Sequence, residues 1–188
     1  MKKVCVHLAS GFEEIEAISI IDVLRRAGIS VIIVSVTGKL EVEGAHQVTV
    51  IADKLFEDVN YQDIDMLILP GGMPGSKNLD EHEGLKQQIV DFHTNNKPIG
   101  AICAAPMVLG HLGILENIEA TCYPGFEVHL HGAIVTGEPV IQFNNIVTGK
   151  GAGVAIQFAL KIVEMLVSKK TAERLAKKMI VGQNNRPL

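Results

Sequence analysis

A single cysteine stands where a strand is predicted to turn directly into a helix. Residues 98–102 form a compact apolar run, Cys103 follows them, and residues 104–112 have a helical pattern. Such a junction needs a sharp turn, which holds its central side chain above the edge of the sheet. A nearby helix N-terminus favours an anionic sulfur. We therefore expect Cys103 to be a reactive thiolate; the alternative is an inert core cysteine, because free cysteines often pack as small hydrophobes.

Glu16 is the second candidate for chemistry. In a helix predicted over residues 13–27, its side chain shares an apolar stripe with Ile20 and Val23. An ionised carboxylate is costly to bury, so the group tends to take up a proton. A protonated Glu16 near Cys103 would donate a hydrogen bond to the sulfur and hold a thiolate. The alternatives are a side chain that reaches solvent or one that binds helix N-terminal amides.

Two adjacent glycines follow the strand predicted over residues 65–69. Gly71 and Gly72 let the backbone approach a ligand closely and leave N–H groups exposed. Such amides can form an oxyanion hole beside a nucleophile, although a plain tight turn would use the same residues. The stretch is not a phosphate-binding P-loop, because the terminal Gly-Lys-Ser/Thr is absent.

Composition excludes several classes of function. The chain has 188 residues, 47% of them hydrophobic and 20% charged, with a net charge of −4, which predicts one globular domain over residues 1–188. The charge pattern and the 4% aromatic content indicate no nucleic-acid partner, and no segment has the roughly 18 apolar residues of a membrane helix. Three scattered cysteines predict no disulfide framework and suit a reducing cytoplasm.

Strands and helices alternate along the chain, which predicts a doubly wound α/β sheet, mostly parallel, with helices on both faces. Ligands bind such sheets beyond the carboxyl ends of the strands, at a switch in strand order. The main strands are predicted at residues 3–8, 30–36, 65–69 and 98–102, weaker ones at 40–43 and 47–51, and late helices at 151–167 and 171–179, while 53–63 is predicted as a connector with a short helical piece.

The seven histidines predict no metal site. His129 and His131 alternate, so they would share one face of a strand, but the sequence shows no third ligand for them. We therefore predict no metal and no cofactor.

Three stretches together resemble the ThiJ/PfpI superfamily, in the branch of the parkinsonism-associated protein deglycase. They read GFEEIE at residues 11–16, LPGG at residues 69–72 and AICAAP at residues 101–106. Their order and spacing carry the resemblance, which extends over almost the whole chain.

The resemblance implies a flavodoxin-like fold, like that of the class I glutamine amidotransferases, and a homodimer. It implies that Cys103 is an oxidation-prone nucleophile supported by a protonated Glu16. The backbone amides of Gly72, Cys103 and Ala104 would form the oxyanion pocket beside that of Gly71. Tyr123 and Pro124 would line the pocket.

Members of this family are described as acting without a cofactor on methylglyoxal, glyoxal and early glycation adducts, and as responding to oxidative stress. The resemblance therefore implies an enzyme whose partners are small α-oxoaldehydes or glycated proteins. The alternative is a redox-sensing protein or chaperone in which Cys103 is oxidised to a sulfenic or sulfinic acid with little turnover.

Three positions depart from the family pattern. Ala104 stands where the protease-like branch has a histidine, so a cysteine peptidase or amidase would need His129 or His131 to reach Cys103. Tyr123 stands where the deglycase has a histidine, and a tyrosine with a pKa of about 10 shuttles protons less readily at neutral pH than a histidine of about 6.5. His46 matches an arginine at the family's dimer interface.

Overall fold

The computed structural model describes residues 1–182 and contains eleven strands in that range. In chain order they are β1 (Lys3–Leu8), β2 (Ser30–Ser35), β3 (Glu41–Glu43), β4 (Thr49–Ile51), β5 (Lys54–Leu55), β6 (Met66–Leu69), β7 (Ile99–Ile102), β8 (Glu119–Ala120), β9 (Ile134–Val135), β10 (Val140–Phe143) and β11 (Ile146–Gly149).

Six α-helices alternate with these strands. They are α1 (Glu14–Arg26), α2 (Gly75–Asp80), α3 (Glu83–Thr94), α4 (Pro106–His111), α5 (Ala155–Leu166) and α6 (Lys169–Lys178). Short 3₁₀ turns occur at Phe56–Asp58, Tyr61–Asp63, Glu127–His129 and Ala152–Val154. Within residues 1–182, none of the helices has the length and apolar character needed to cross a membrane.

Seven strands form the central sheet in the order β10-β11-β7-β6-β1-β2-β5. Every neighbouring pair is parallel except β10 with β11. From β1 the chain moves outward to β2 and β5, whereas from β6 it moves the other way to β7 and β11. The strand order therefore reverses between β1 and β6, which is where a doubly wound sheet binds its ligands. The predicted α/β fold, mostly parallel with helices on both faces, is confirmed.

The side chains of the sheet alternate between two apolar layers. Val4 and Val6 point to the layer that contains α1, α5 and α6, where Phe158 of α5 is fully buried. Cys5, between them in sequence, points to the layer that contains α2, α3 and α4. Because both faces are covered, the central strands are apolar at nearly every position and are recognisable in the sequence as continuous runs.

Several boundaries differ from the sequence prediction. Helix α4 begins at Pro106 rather than at residue 104, because Pro106 has no N–H and suits the first helical turn. Helix α5 begins at Ala155, after the 3₁₀ turn that occupies residues 152–154. Strand β5 lies in the predicted connector, because its two residues become a strand only by pairing with Val34 and Ser35 of β2.

Candidate functional site

Cys103 occupies the sharp turn between β7 and α4. Its backbone is in the left-handed region, with φ of 65°, which costs a non-glycine residue about 1–2 kcal/mol. Two backbone hydrogen bonds hold the turn: the Cys103 amide donates to the carbonyl of Gly149 at 2.8 Å, and its carbonyl accepts from the amide of Tyr123 at 2.8 Å. The turn therefore stays in this conformation because both sides of the residue are anchored.

The Glu16 carboxyl is buried between the first helix and the loop that follows β6. Its side chain has no exposed surface, and Oε2 accepts a hydrogen bond from the Gly71 amide at 2.7 Å. Oε1 is buried without a nitrogen or oxygen partner among the described residues, and the Cys103 thiol lies beside the carboxyl as a further hydrogen-bonding group. Burial raises the pKa of Glu16 to about 7, although the Gly71 amide and the thiol oppose the shift.

Residue 71 must be glycine because Cys103 and Glu16 both lie very close to its backbone. A Cβ atom at Gly71 would lie 2.5 Å from Cβ of Cys103 and 2.7 Å from Oε2 of Glu16. At Gly72 the backbone has φ of 92°, and a Cβ atom there would overlap the backbone nitrogen of Glu13. The glycine pair therefore allows the loop, the acid and the thiol to pack against one another.

The predicted oxyanion amides divide into two groups. The Gly71 amide donates to Glu16 and the Cys103 amide donates to Gly149, so neither is available to a ligand as predicted. The amides of Gly72 and Ala104 instead hydrogen-bond to the Cys103 sulfur. A bound oxyanion beside the sulfur would therefore find two backbone donors, from Gly72 and Ala104.

The ionisation of the thiol differs from the sequence prediction. The pKa of Cys103 is raised to about 12, first by burial, then by the negative charge of ionised Glu16 and the hydrogen bond to it. The amides of Gly72 and Ala104 lower the pKa, but by less. The helix N-terminus on which the prediction relies begins only at Pro106, and a buried carboxylate beside the sulfur outweighs it.

The acid and the thiol therefore titrate as a pair. Between pH of about 7 and about 12 the pair carries one negative charge and keeps one proton. When that proton is on the carboxyl, the sulfur is a thiolate that accepts from the amides of Gly72 and Ala104. When it is on sulfur, the charge sits on Glu16 and is held by Gly71.

A cavity of about 230 Å³ opens beside the sulfur. Tyr123 contributes to its wall as predicted, but Pro124 instead faces a neighbouring cleft beside Lys150 and Gly151. The lining residues are Glu13, Gly72, Met73, Cys103, Ala104, Tyr123 and Phe126.

Sequence reasoning missed Glu13, Met73 and Phe126. Glu13 caps α1, accepting from the amide of Ile15 at 3.3 Å, and its own amide donates to the carbonyl of Gly71 at 2.9 Å. Its position one turn before Glu16 was the available signal, since the helix must begin beside the glycine loop. Met73 directly follows Gly72, whereas Phe126 carried no signal, because it reaches the cavity through an irregular loop.

The histidines singled out in the sequence lie elsewhere. Within residues 1–182 no histidine lines the cavity; Nδ1 of His129 is 3.0 Å from Nε2 of His111 instead. The structure therefore brings no imidazole to Cys103 for a peptidase-type pair. His46, exposed over 70% of its side chain, has Nδ1 2.8 Å from Oε2 of Glu14, and this hydrogen bond raises the pKa of His46.

Comparison with known proteins identifies the family of the chain. Residues 2–165 match the DJ-1/PfpI family. The chain belongs to that family. It is 35% identical over 185 residues to protein dj-1beta of Drosophila melanogaster, covering 97% of this chain and 99% of the relative. It is 31% identical over 179 residues to the glutathione-independent glyoxalase DJ-1 of Schizosaccharomyces pombe, covering 90% and 93%.

Solved structures of the family share the fold. The structure of oxidised DJ-1 from Toxoplasma gondii superposes with a TM-score of 0.93 at 38% identity, covering 97% of this chain and 100% of that one. Against Arabidopsis thaliana DJ-1 homologs B and A, identity is 34% and 33% over 97% of this chain. The chain spans only 42% and 47% of the length of those two relatives.

Gly71→Ala tests whether the close approach of acid and thiol matters. We expect slower alkylation of Cys103 by iodoacetamide, because the added methyl group must displace the thiol or the carboxyl. The rate is measured by mass spectrometry of the modified Cys103 peptide. Gly153→Ala is the matched control, since a Cβ atom there meets nothing within 4 Å. Equal alkylation rates for wild type and Gly71→Ala would contradict the packing argument.

Glu16→Gln tests the shared proton. An ionised Glu16 raises the pKa of the Cys103 thiol, so removing that charge is expected to shift the thiol titration to lower pH than in the wild type. The thiolate is followed by its ultraviolet absorbance, with the Cys103→Ser titration subtracted to remove Cys5 and Cys122. Glu83→Gln, at an exposed glutamate of α3, is the control. An unchanged or higher thiol pKa in Glu16→Gln would show that the two groups are not coupled.

Proposed function

We propose that this chain is a cofactor-independent cysteine enzyme that converts methylglyoxal or glyoxal to the corresponding hydroxy acid, or removes early glycation adducts. The observation that carries the proposal is the buried Glu16 carboxyl beside a strained Cys103, both at the edge of a small cavity. The name of the Schizosaccharomyces pombe relative, a glutathione-independent glyoxalase, supports this assignment.

In the proposed reaction the Cys103 thiolate adds to the aldehyde carbon of methylglyoxal. The negative charge moves from the sulfur to the aldehyde oxygen as the bond forms. The amides of Gly72 and Ala104, which stabilise the thiolate, then stabilise this oxyanion. Glu16 gives this oxygen its proton and forms a hemithioacetal. A carboxyl with a pKa of about 7 suits this step, because it can both release and accept a proton near neutral pH.

Glu16, now ionised, takes the proton from the former aldehyde carbon and returns it to the neighbouring carbon. It also carries the hydroxyl proton of the hemithioacetal to the former ketone oxygen, so that the first oxygen becomes a carbonyl and the second a hydroxyl. The product is a thioester of lactate on Cys103, and water cleaves it to lactate and the free thiol. Overall one methylglyoxal and one water give one lactate, with no external oxidant or reductant. Because Tyr123 replaces the histidine of the deglycase, every proton transfer in this scheme is assigned to Glu16.

Lactate formation from methylglyoxal tests the enzyme proposal. We expect wild type to form lactate, Cys103→Ser to form none above the buffer rate, and Glu16→Gln to lose at least a hundredfold, the usual scale of a lost general acid–base group. Cys5→Ala is the matched control, because it removes a thiol that lies in β1, remote from the cavity lining. Equal lactate rates for wild type and Cys103→Ser would remove the proposal.

A second candidate function is a redox sensor, because the same groups would hold an oxidised sulfur. Peroxide attacked by the thiolate gives a sulfenate and water, and a second peroxide gives a sulfinate. The sulfinate oxygens would accept hydrogen bonds from Gly72 and Ala104 and from protonated Glu16. The similar Toxoplasma gondii protein, whose structure is that of an oxidised DJ-1, supports this candidate.

Mild peroxide treatment followed by peptide mass spectrometry tests this second candidate. We expect Cys103 to gain oxygen before Cys5 and Cys122, because those two are buried in the core, whereas the Cys103 sulfur lines a cavity that peroxide can enter. Glu16→Leu removes the hydrogen bond to the sulfinate, so its doubly oxidised form is expected to accumulate less. Oxygen on Cys5 or Cys122 first would exclude the sensor function.

The remaining features of the assignment have two sources. From the composition and the scattered cysteines we infer a single domain over residues 1–188 and a cytoplasmic location. From the family resemblance we infer a homodimer, a role in carbonyl and oxidative stress, and a chaperone activity. Residues 183–188 lie outside the described part of the chain.

A further inference from the structure

Three histidines and an aspartate gather on the surface at the ends of α2, α4 and the 3₁₀ turn at Glu127–His129. Asp80 ends α2, His111 ends α4 and His129 ends the turn, so residues separated by up to 49 positions meet. None of them lines the Cys103 cavity. The proposed reaction therefore does not use them.

The geometry of the first pair matches two ligands of one metal ion. Nε2 of His111 and Nδ1 of His129 are 3.0 Å apart. Two imidazole nitrogens bound to one zinc ion at about 2.0–2.1 Å, with a near-tetrahedral angle, lie roughly 3.3 Å from each other. In the structure a hydrogen bond whose donor depends on the ring tautomers joins the two nitrogens, and a divalent cation would take the place of its proton.

Asp80 occupies the position of a supporting carboxylate. Its Oδ2 accepts from Nδ1 of His111 at 2.8 Å, which leaves Nε2 of the same ring free of its proton whenever the ring is neutral. Metal-binding histidines regularly hand their second ring nitrogen to a carboxylate in this way, which fixes the tautomer and the ring orientation. The Asp80 side chain is only 19% exposed, and its Oδ1 is buried without a partner among the described residues.

His131 is the third histidine of this cluster, and its ring must turn to bind an ion with the other two, because within residues 1–182 only Glu13, Glu14 and His46 already hold three ligand atoms within 4.8 Å of one another. The ring centroid of His131 lies 5.3 Å from that of His111, and the residue is exposed. Rotation of an exposed side chain is fast, so the ring can turn its nitrogen to the ion after the first two ligands bind. The sequence pattern predicts that His129 and His131 lie on one face but identifies no third ligand. His111 could not be recognised from the sequence, because it comes close to them only through the packing of α4 on the loop.

We propose that His111, His129 and His131 form a binding site for a divalent transition-metal ion, with Asp80 orienting His111. Three neutral nitrogen ligands suit Zn²⁺, Cu²⁺ or Ni²⁺ rather than the oxygen-preferring Mg²⁺ or Ca²⁺. A fourth position remains for water, because His111 and His131 are at the surface. The site is independent of the proposed enzyme function.

Calorimetric titration with zinc chloride tests the site, in a Cys103→Ser background so that the thiol does not compete. We expect one zinc ion per chain with proton release, and no response to magnesium chloride. His111→Gln and His129→Gln are expected to abolish saturable binding, and His131→Gln to weaken it. Asp80→Asn is expected to weaken binding about 10- to 100-fold, the usual effect of losing a supporting carboxylate.

Two control variants separate this site from other histidines. His93→Gln removes an exposed histidine of α3, and His46→Gln disrupts the other histidine–carboxylate cluster, formed with Glu13 and Glu14. Both are expected to leave zinc binding unchanged. No saturable zinc binding, unchanged binding in His111→Gln, or loss of binding in His46→Gln would each overturn the proposal.

A measurement on unmodified side chains guards against variants that fold poorly. Zinc is expected to protect His111 and His129 from carbethoxylation by diethyl pyrocarbonate, while His93 reacts at the same rate with and without zinc. Peptide mass spectrometry gives each rate. Equal modification of His111 with and without zinc would also overturn the proposal.

Discussion

The hydrogen bond from the Gly71 amide to the buried Glu16 carboxyl links the main parts of this structure. It joins α1 to the loop after β6 across the point where the strand order reverses, and it places an acid beside the elbow that follows β7. One amide satisfies one carboxyl oxygen, while the other oxygen is buried without an oxygen or nitrogen partner among the described residues. A carboxyl with half its partners is poorly compensated for lost hydration, so its pKa rises and the proton becomes available near neutral pH.

This arrangement changes what the turn at Cys103 contributes. An exposed sulfur beside two backbone amides would ionise easily, but burial and the carboxylate act in the opposite direction and prevail. The strain stored in the left-handed backbone of Cys103 therefore does not produce a free thiolate. It positions the sulfur beside the Glu16 carboxyl, so that one proton is shared between them. Formation of the thiolate is then coupled to protonation of Glu16, the acid of the proposed reaction.

The sequence predicted the parts of this fold that depend on local pattern. Strands β1, β2, β6 and β7 are continuous apolar runs because both faces of the sheet are covered, and Glu16 stood out because a charged group lay on an apolar helical stripe. Features that depend on tertiary contacts could not be predicted from the sequence pattern. Strand β5 exists only through pairing with β2, and the commitment of the Gly71 amide to Glu16 needs the distance between a loop and a helix 55 residues apart. The meeting of His111 with His129 likewise required knowledge of how α4 packs.

The loop from Tyr123 to His131 is fixed at two points, and this determines the wall of the cavity. At one end the Tyr123 amide donates to the carbonyl of Cys103; at the other His129 contacts His111, and its carbonyl lies so close to Gly110 that a side chain there would overlap it. Phe126 lies between the two anchors, with its ring 5.8 Å from that of His129 and its side chain on the cavity. The position of Phe126 in the cavity wall therefore depends on this loop and not on the strands of the sheet. The sheet fixes the sulfur and the acid, whereas the loop sets the space in front of them.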